Sequence, residues 1–201
     1  MHARTSPRMP LSTPFLLALL LPLLPTPAPA ADPILSLRAV AVNMSGVGRA
    51  RAGTIDIVIE RWSTDEEREQ LRDVLIEKGG DRLLSALQKI KPRAGYLRTS
   101  TSLGWDIQFA REDEFGDGGR RIVFATDRPM NFWEIRNQAR SSDYEFLLCD
   151  IRLTKAGKGT GKLAGAAKVE WKGDTRTVEI ENYGIEPVRL TEVQVVGPKG
   201  K

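Results

Sequence analysis

The side chains that could carry chemistry are few in this chain. Its one histidine, His2, lies in an N-terminal segment that we expect to be removed, and Cys149 is its one thiol. Ser-His-Asp and Cys-His mechanisms both need an imidazole as the base, and zinc sites commonly use histidine. Removal of the segment would exclude these mechanisms and histidine zinc sites. We therefore expect no cofactor and no transition metal, and we expect Cys149 to be a buried, unreactive residue.

Carboxylates are the remaining candidates for catalysis. Two of them can hydrolyse a glycosidic bond, one as the acid and the other as the base or nucleophile. The nominal candidates are Asp106, Asp127 and Asp150. Asp127 is as readily explained as a turn or N-cap residue before Pro129. The sequence leaves enzymatic activity open and favours a protein without one.

Two loops resemble ligand sites without matching them. Residues 112–117 include four acids that could bind calcium, but their spacing is not that of an EF-hand, so we expect a solvated turn. Residues 157–163 are one residue too short for a phosphate-binding loop, and Leu163 stands where that loop needs a hydroxyl. We expect this stretch to be part of a hairpin.

Five residues form the binding site predicted from the sequence. Phe132, Trp133 and Tyr144 are aromatic and lie around the least regular stretch, where loops carry function on a rigid scaffold. Gly165 and Ala167 lie on the small inward face of a late strand. Small side chains there leave room for a ligand or let a helix pack closely. The pattern favours the helix and keeps the ligand as the alternative.

A strand followed by a helix is the clearest predicted element of the scaffold. Ile55, Ile57 and Ile59 alternate with polar residues, which is the period of a half-buried strand. Thr64 and Glu67 have the spacing of a capping box, and so do Ser63 and Glu66. A helix is therefore expected to begin there.

The remaining elements indicate an α+β fold. Gly79 ends the first helix, and a second is expected from Asp81 to Lys91. Most other segments are predicted strands, including one over residues 162–171, without the alternation of strands and helices that a parallel sheet needs. The predicted fold is a curved, mostly antiparallel sheet of about eight or nine strands with two adjacent short helices packed on it.

The first 30 residues have the pattern of an export signal. Two arginines precede an apolar stretch, and Ala28 and Ala30 occupy the small-residue positions of a cleavage site. The predicted organisation is a signal peptide over 1–30 and a single α+β domain over 31–201. We expect a soluble, secreted or periplasmic protein without stable membrane insertion. An uncleaved membrane anchor is the alternative, because prolines crowd the cleavage site.

The charge of the predicted mature domain is nearly balanced. The segment removed carries two arginines and no acid, so the formal net charge falls from +4 to +2. A domain this balanced is not expected to have nucleic acid as a partner. The expected partner is an unknown small molecule or a protein of the cell envelope.

Four short stretches carry a resemblance to other proteins. They are Trp62-Ser63-Thr64-Asp65, Ala125-Thr126-Asp127-Arg128-Pro129, Glu181-Asn182-Tyr183-Gly184 and Pro187-Val188. Together with the signal segment, they resemble a group of uncharacterised exported bacterial proteins. That group has no assigned activity, so the resemblance implies only export and a single domain.

Three functions fit these features. The favoured one is a non-catalytic binding module for an apolar or amphipathic small molecule or a protein partner. The first alternative is a structural or interaction protein of the cell envelope that adds to another chain through an exposed strand edge. The second is a hydrolase that uses carboxylates.

Overall fold

The structure, a computed structural model, describes residues 32–43, 51–100, 102–116, 118–128, 146–166, 168–172, 177–181 and 187–197. All of them belong to one compact unit, Ala31–Lys201. The strands are β1 (Leu35–Asn43), β2 (Arg51–Ile59), β3 (Gly95–Thr99), β4 (Trp105–Phe115), β5 (Gly119–Thr126), β6 (Phe146–Leu153), β7 (Lys158–Ala166), β8 (Lys168–Lys172), β9 (Thr177–Glu181) and β10 (Val188–Val195). Between β2 and β3 lie α1 (Asp65–Lys78), a 3₁₀ turn (Gly80–Arg82) and α2 (Leu83–Leu87).

Eight antiparallel strands close into a barrel. Their order is β1-β10-β7-β6-β5-β4-β3-β2, and β8 and β9 form a separate two-stranded sheet. The predicted fold, an open curved sheet of about eight or nine strands carrying the two helices, is wrong, because β1 pairs with both β2 and β10. Alternating apolar residues look the same in open and closed sheets, whereas closure removes the unpaired edges that an open sheet leaves.

Apolar side chains fill the interior of the barrel. Leu37, Ile57, Phe124 and Ile151 are each no more than 1% exposed, and they belong to one cluster contributed by all eight strands. Burying a side chain of this size contributes about 1.5–3 kcal/mol. The strand alternation predicted around Ile57 is confirmed, and it positions the barrel core.

Cys149 belongs to this interior cluster and is 1% exposed. Burial, and secondarily the negative charge of Asp150, raises the pKa of the Cys149 thiol well above its usual value. The thiolate is the reactive form of cysteine, so this thiol is unreactive. The predicted burial of Cys149 is confirmed.

The capping box at the start of α1 is confirmed. The Thr64 hydroxyl accepts a hydrogen bond from the Glu67 N–H at 3.2 Å, and the Glu67 carboxylate accepts one from the Thr64 N–H at 3.1 Å. The helix ends before Gly79, as expected. The second helix is shorter than predicted, because α2 contains five residues.

A second, smaller apolar cluster joins the helices to the barrel. Its buried members are Leu71, Leu75, Leu83, Leu87, Ile90, Ala125 and Phe146. The sequence favoured packing of the second helix on the small face around Gly165 and Ala167. The 3₁₀ turn before α2 does contact β8, whereas Leu83 and Leu87 of α2 cluster with Ala125 of β5 and Phe146 of β6. The strand predicted over 162–171 is also divided, because β7 and β8 belong to different sheets.

Glu67 gives a pH-dependent prediction. Burial raises the pKa of its carboxyl, but hydrogen bonds from Arg61 and the Thr64 N–H and the charge of Arg61 outweigh burial, so the pKa lies below its usual value. The two Arg61–Glu67 hydrogen bonds are both 2.9 Å long. We expect Glu67→Gln to lower the free energy of unfolding by about 1–2 kcal/mol at neutral pH, as loss of a charged hydrogen bond does.

The sign follows from the direction of the shift. A carboxyl whose pKa is lower in the folded state stabilises above its unfolded pKa, about 4.3, and loses that contribution as pH falls through the folded pKa. Denaturant unfolding between neutral pH and acid should therefore show the difference from wild type disappearing in acid. Glu69→Gln, an exposed change on the same helix, is the control. A difference that persists in acid would contradict the assignment.

Candidate functional site

Of the five residues of the predicted binding site, the structure describes only Gly165. It lies on β7 opposite Leu147, which belongs to the barrel interior. Phe132, Trp133, Tyr144 and Ala167 lie outside the described residues. Their grouping with Gly165 therefore stays a prediction.

Two of the three candidate catalytic carboxylates are held by arginines. Arg93 donates to the Asp106 carboxylate at 2.8 Å, and Arg121 donates to Asp150 at 2.9 Å. Asp150 lies on β6 opposite Lys162, whereas Asp106 lies on β4, which β5 separates from β6 in the barrel. Each of these two carboxylates therefore belongs to its own surface ion pair with an arginine.

The described residues of the two loops that resembled ligand sites have structural roles. Glu112 accepts a hydrogen bond from Arg120 at 3.0 Å, while Asp117 lies outside the described residues. In the described ranges, no three histidine, cysteine or acidic residues are grouped as metal ligands. The glycine-rich stretch begins in the β6–β7 hairpin and continues along β7, so the hairpin prediction is confirmed.

A β-bulge creates the most unusual polar site in the described chain. Ile107 of β4 lies opposite Thr126 of β5, and Phe109 lies opposite Ala125, so Gln108 is the extra residue between them. Gln108 and Thr126 are both 0% exposed. The bulge therefore places a long amide side chain in a buried position next to the end of β5.

Hydrogen bonds fix the chain on both sides of Asp127. The Thr126 hydroxyl accepts a bond from the Leu147 N–H at 3.0 Å and donates to the Arg128 carbonyl at 2.8 Å. The side-chain amide of Gln88, just after α2, donates to the Asp127 carbonyl at 3.1 Å. The position of the Asp127 carboxylate is therefore set by β6 and the helical segment as well as by β5.

Two acceptor atoms of this site have no donor among the described residues. Gln108 Nε2 donates to Asp127 Oδ2 at 3.3 Å, and this bond orients the amide, since the opposite orientation would set oxygen against oxygen. Gln108 Oε1 and Asp127 Oδ1 are buried and accept no hydrogen bond from the part of the chain that the structure describes. Each unsatisfied atom of this kind costs about 1–3 kcal/mol. Both oxygens could therefore accept a further hydrogen bond.

Apolar residues adjoin Gln108 and Thr126 along the chain. Phe146 and Ala125 are 2% and 3% exposed and belong to the helix-side cluster with Leu87 and Ile90. Phe109, which follows Gln108 directly, is half-buried against this cluster. The residues that carry the two acceptor oxygens therefore lie close in sequence to members of an apolar cluster.

Sequence reasoning missed Gln108. It alternates with Ile107 and Phe109, so it has the pattern of an outward-facing polar residue on a regular strand. Asp127 was identified only as a nominal carboxylate or turn residue. The available signal was the polar turn 126–129 that ends β5, but the bulge opposite it depends on strand register, which one sequence does not reveal.

No family model, no curated protein and no solved structure matches this chain. The resemblance to exported bacterial proteins therefore stays a prediction. Within the described part of the chain, no helix combines the length and the apolar character needed to cross a membrane.

Proposed function

We propose that this protein is a non-catalytic binding module whose ligand is an amphipathic small molecule with a positively charged amine head. The observation that carries the proposal is the pair of buried acceptor oxygens, Gln108 Oε1 and Asp127 Oδ1, which no described donor satisfies. A secreted or periplasmic location, inferred from the first 30 residues, belongs to the same proposal.

The chemistry of the two oxygens selects the head group. An ammonium group offers three N–H donors and no acceptor, and charge-assisted hydrogen bonds are about twice as strong as neutral ones. Asp127 forms no ion pair with any described residue, and the neighbouring Arg128 guanidinium donates instead to the Gly104 carbonyl at 2.7 Å. A carboxylate or phosphate head would meet the Asp127 charge without a compensating cation from any described ion pair at this site.

The apolar neighbours support an apolar ligand body. Small-molecule sites are mostly apolar and contain a few polar groups that orient the ligand. Phe109 follows Gln108 directly in the chain and packs against the helix-side cluster, to which Phe146 belongs. Residues 129–145 connect Arg128 to Phe146, so both ends of this connection lie at the site. By sequence, the connection includes the aromatic residues of the predicted binding site.

The two alternatives have less support. Addition of a partner strand needs a free edge, but each of the eight barrel strands pairs on both sides. Among the described strands, this leaves only the sheet of β8 and β9. Carboxylate hydrolysis needs two acids on either side of one bond. Asp106 and Asp150 are instead each bound by an arginine.

Gln108→Met tests the proposal. We expect decylamine to bind wild type, and to bind the variant about tenfold more weakly or worse, because the amide carbonyl that accepts from the head is gone. The free energy of unfolding should change by less than about 1 kcal/mol, since loss of the bond to Asp127 offsets removal of an unsatisfied buried carbonyl. Titration calorimetry and denaturant unfolding measure the two quantities.

The control separates this site from general effects of the substitution. Gln70→Met makes the same change at an exposed position of α1 and should leave amine binding unchanged. Decanol, which has the same chain without the charge, should bind wild type more weakly than decylamine. Equal binding of the two probes, or full amine binding by Gln108→Met, would mean that the polar pair has a structural role only.

A further inference from the structure

The two acceptor oxygens of the proposed amine site belong to different side chains. Gln108 Oε1 is an amide oxygen and Asp127 Oδ1 is a carboxylate oxygen, and neither accepts a hydrogen bond from the described residues. Both are acceptor atoms, which pair with N–H or O–H groups. An organic cation without such a group would therefore supply charge and leave both oxygens unsatisfied.

Hydrogen bonds hold the residues that carry these two oxygens. Gln108 Nε2 donates to Asp127 Oδ2 at 3.3 Å, so Oε1 is the end of the amide that remains for a ligand. The backbone of Asp127 is held as well, because its carbonyl accepts from Gln88 at 3.1 Å and its N–H donates to the Asp106 carbonyl at 3.3 Å. Gln108 is 0% exposed whereas Asp127 is half-buried, so the pair lies where the interior meets the surface.

Asp127 supplies this site with one formal negative charge. It forms no ion pair within the described ranges, whereas the carboxylate of Asp106 is bound by Arg93 at 2.8 Å. Gln108 is neutral, so it adds an acceptor without adding charge. A head group with a single positive charge and at least two N–H donors matches this combination.

We infer that the amine site selects a primary alkylammonium and rejects a quaternary one. The inference rests on the proposed function, because it concerns how that site distinguishes one cation from another. A primary ammonium carries three N–H donors that point in different directions, so it can donate to Gln108 Oε1 and Asp127 Oδ1 together. A trimethylammonium carries the same charge without a donor, and its methyl groups hold that charge farther from both oxygens.

Quaternary ammonium groups are recognised in a different way. Proteins bind them against the faces of aromatic rings, where the positive charge meets the electrons of the ring. Gln108 and Asp127 offer oxygen acceptors instead. Leaving a buried acceptor unsatisfied lowers affinity by about tenfold for each atom. The two oxygens should therefore rank cations by their number of N–H donors.

Four probes that share a decyl chain test the inference. In their charged forms, decylamine, N-methyldecylamine, N,N-dimethyldecylamine and decyltrimethylammonium carry three, two, one and no N–H donors. All four are cationic at about pH 7, since amines of this kind titrate at about pH 10. We expect wild type to bind the first two within about threefold of each other, and the third and fourth each about tenfold more weakly than the probe before it. Titration calorimetry measures the four affinities.

Gln108→Met checks the contribution of one acceptor to this selection. With Oε1 removed, the preference for decylamine over decyltrimethylammonium should fall from about a hundredfold to about tenfold. Gln70→Met, the same change at an exposed position of α1, should keep the wild-type preference. The preference is a ratio of two affinities, so a general loss of binding in the variant would leave it unchanged.

The outcomes separate this inference from the proposed function. Equal affinity of wild type for decylamine and decyltrimethylammonium would overturn the selection of primary amines, while amine binding itself would stand. An unchanged preference in Gln108→Met would overturn the role of Oε1 in that selection. Absence of decylamine binding by wild type would overturn the proposed function, and this inference with it.

Discussion

Replacing Gly159 with alanine is expected to lower the free energy of unfolding by about 3 kcal/mol, the upper end of the usual cost of overpacking. Gly159 lies on β7, where a Cβ atom would overlap the Arg152 carbonyl oxygen of β6 and stand 2.8 Å from its carbon. The obstacle is backbone within the barrel ladder, so it cannot rotate away as a side chain could. Relief requires moving two hydrogen-bonded strands apart, which denaturant unfolding would detect.

Gly53→Ala is the matched control for this change. Gly53 also lies in a barrel strand, but a Cβ atom there would have nothing within 4 Å. We expect this variant to be as stable as wild type or more stable by about 0.4–1 kcal/mol, because alanine restricts the unfolded chain. Equal destabilisation by both changes would show that close approach of β7 to β6 is not the cause.

Replacing Phe124 with alanine is expected to lower the free energy of unfolding by about 3–5 kcal/mol, as truncation of a buried aromatic residue does. Phe124 is 0% exposed and lies in register between Ala110 of β4 and Cys149 of β6. Its two cross-strand neighbours are small, so they cannot fill the space that the ring occupies. A cavity should therefore persist in the variant.

The loss of unfolding free energy should depend on the size of the side chain at position 124. Phe124→Leu retains most of the apolar volume and should be clearly more stable than Phe124→Ala in the same denaturant series. Leu103→Ala removes a side chain that is fully exposed and should change stability by less than about 0.5 kcal/mol. A loss of under about 1 kcal/mol for Phe124→Ala would mean that the interior collapses around the missing ring.

The sequence predicted elements whose causes are local. The capping box of Thr64 and Glu67 depends on residues three apart. It was correct, because the groups that stabilise it are neighbours along the chain. The period-two pattern of Ile55, Ile57 and Ile59 likewise identified a strand. The turn expected over residues 112–117 was placed too early, because β4 extends to Phe115.

Features that depend on distant partners could not be predicted in this way. Closure of the barrel depends on the pairing of β1 with β10. The sequence of neither strand indicates that the other is its partner. The role of Gln108 depends on its register against Thr126, because a regular strand would place it differently. The strand predicted over 162–171 was wrong for the same reason. Its residues belong to two strands, β7 and β8, which pair with strands of different sheets.

The pairing of β1 with β10 also affects how the chain reaches its fold. The Thr191 hydroxyl donates to the Val40 carbonyl across 151 residues of sequence. Contacts between such distant segments slow folding, although each doubling of a loop costs only about 0.6 kcal/mol in closure entropy. Until β10 is in place, β1 and β7 each keep an unpaired edge to which strands of other chains can add. Aggregation is therefore the main hazard for an incomplete chain, and docking of the last barrel strand ends it.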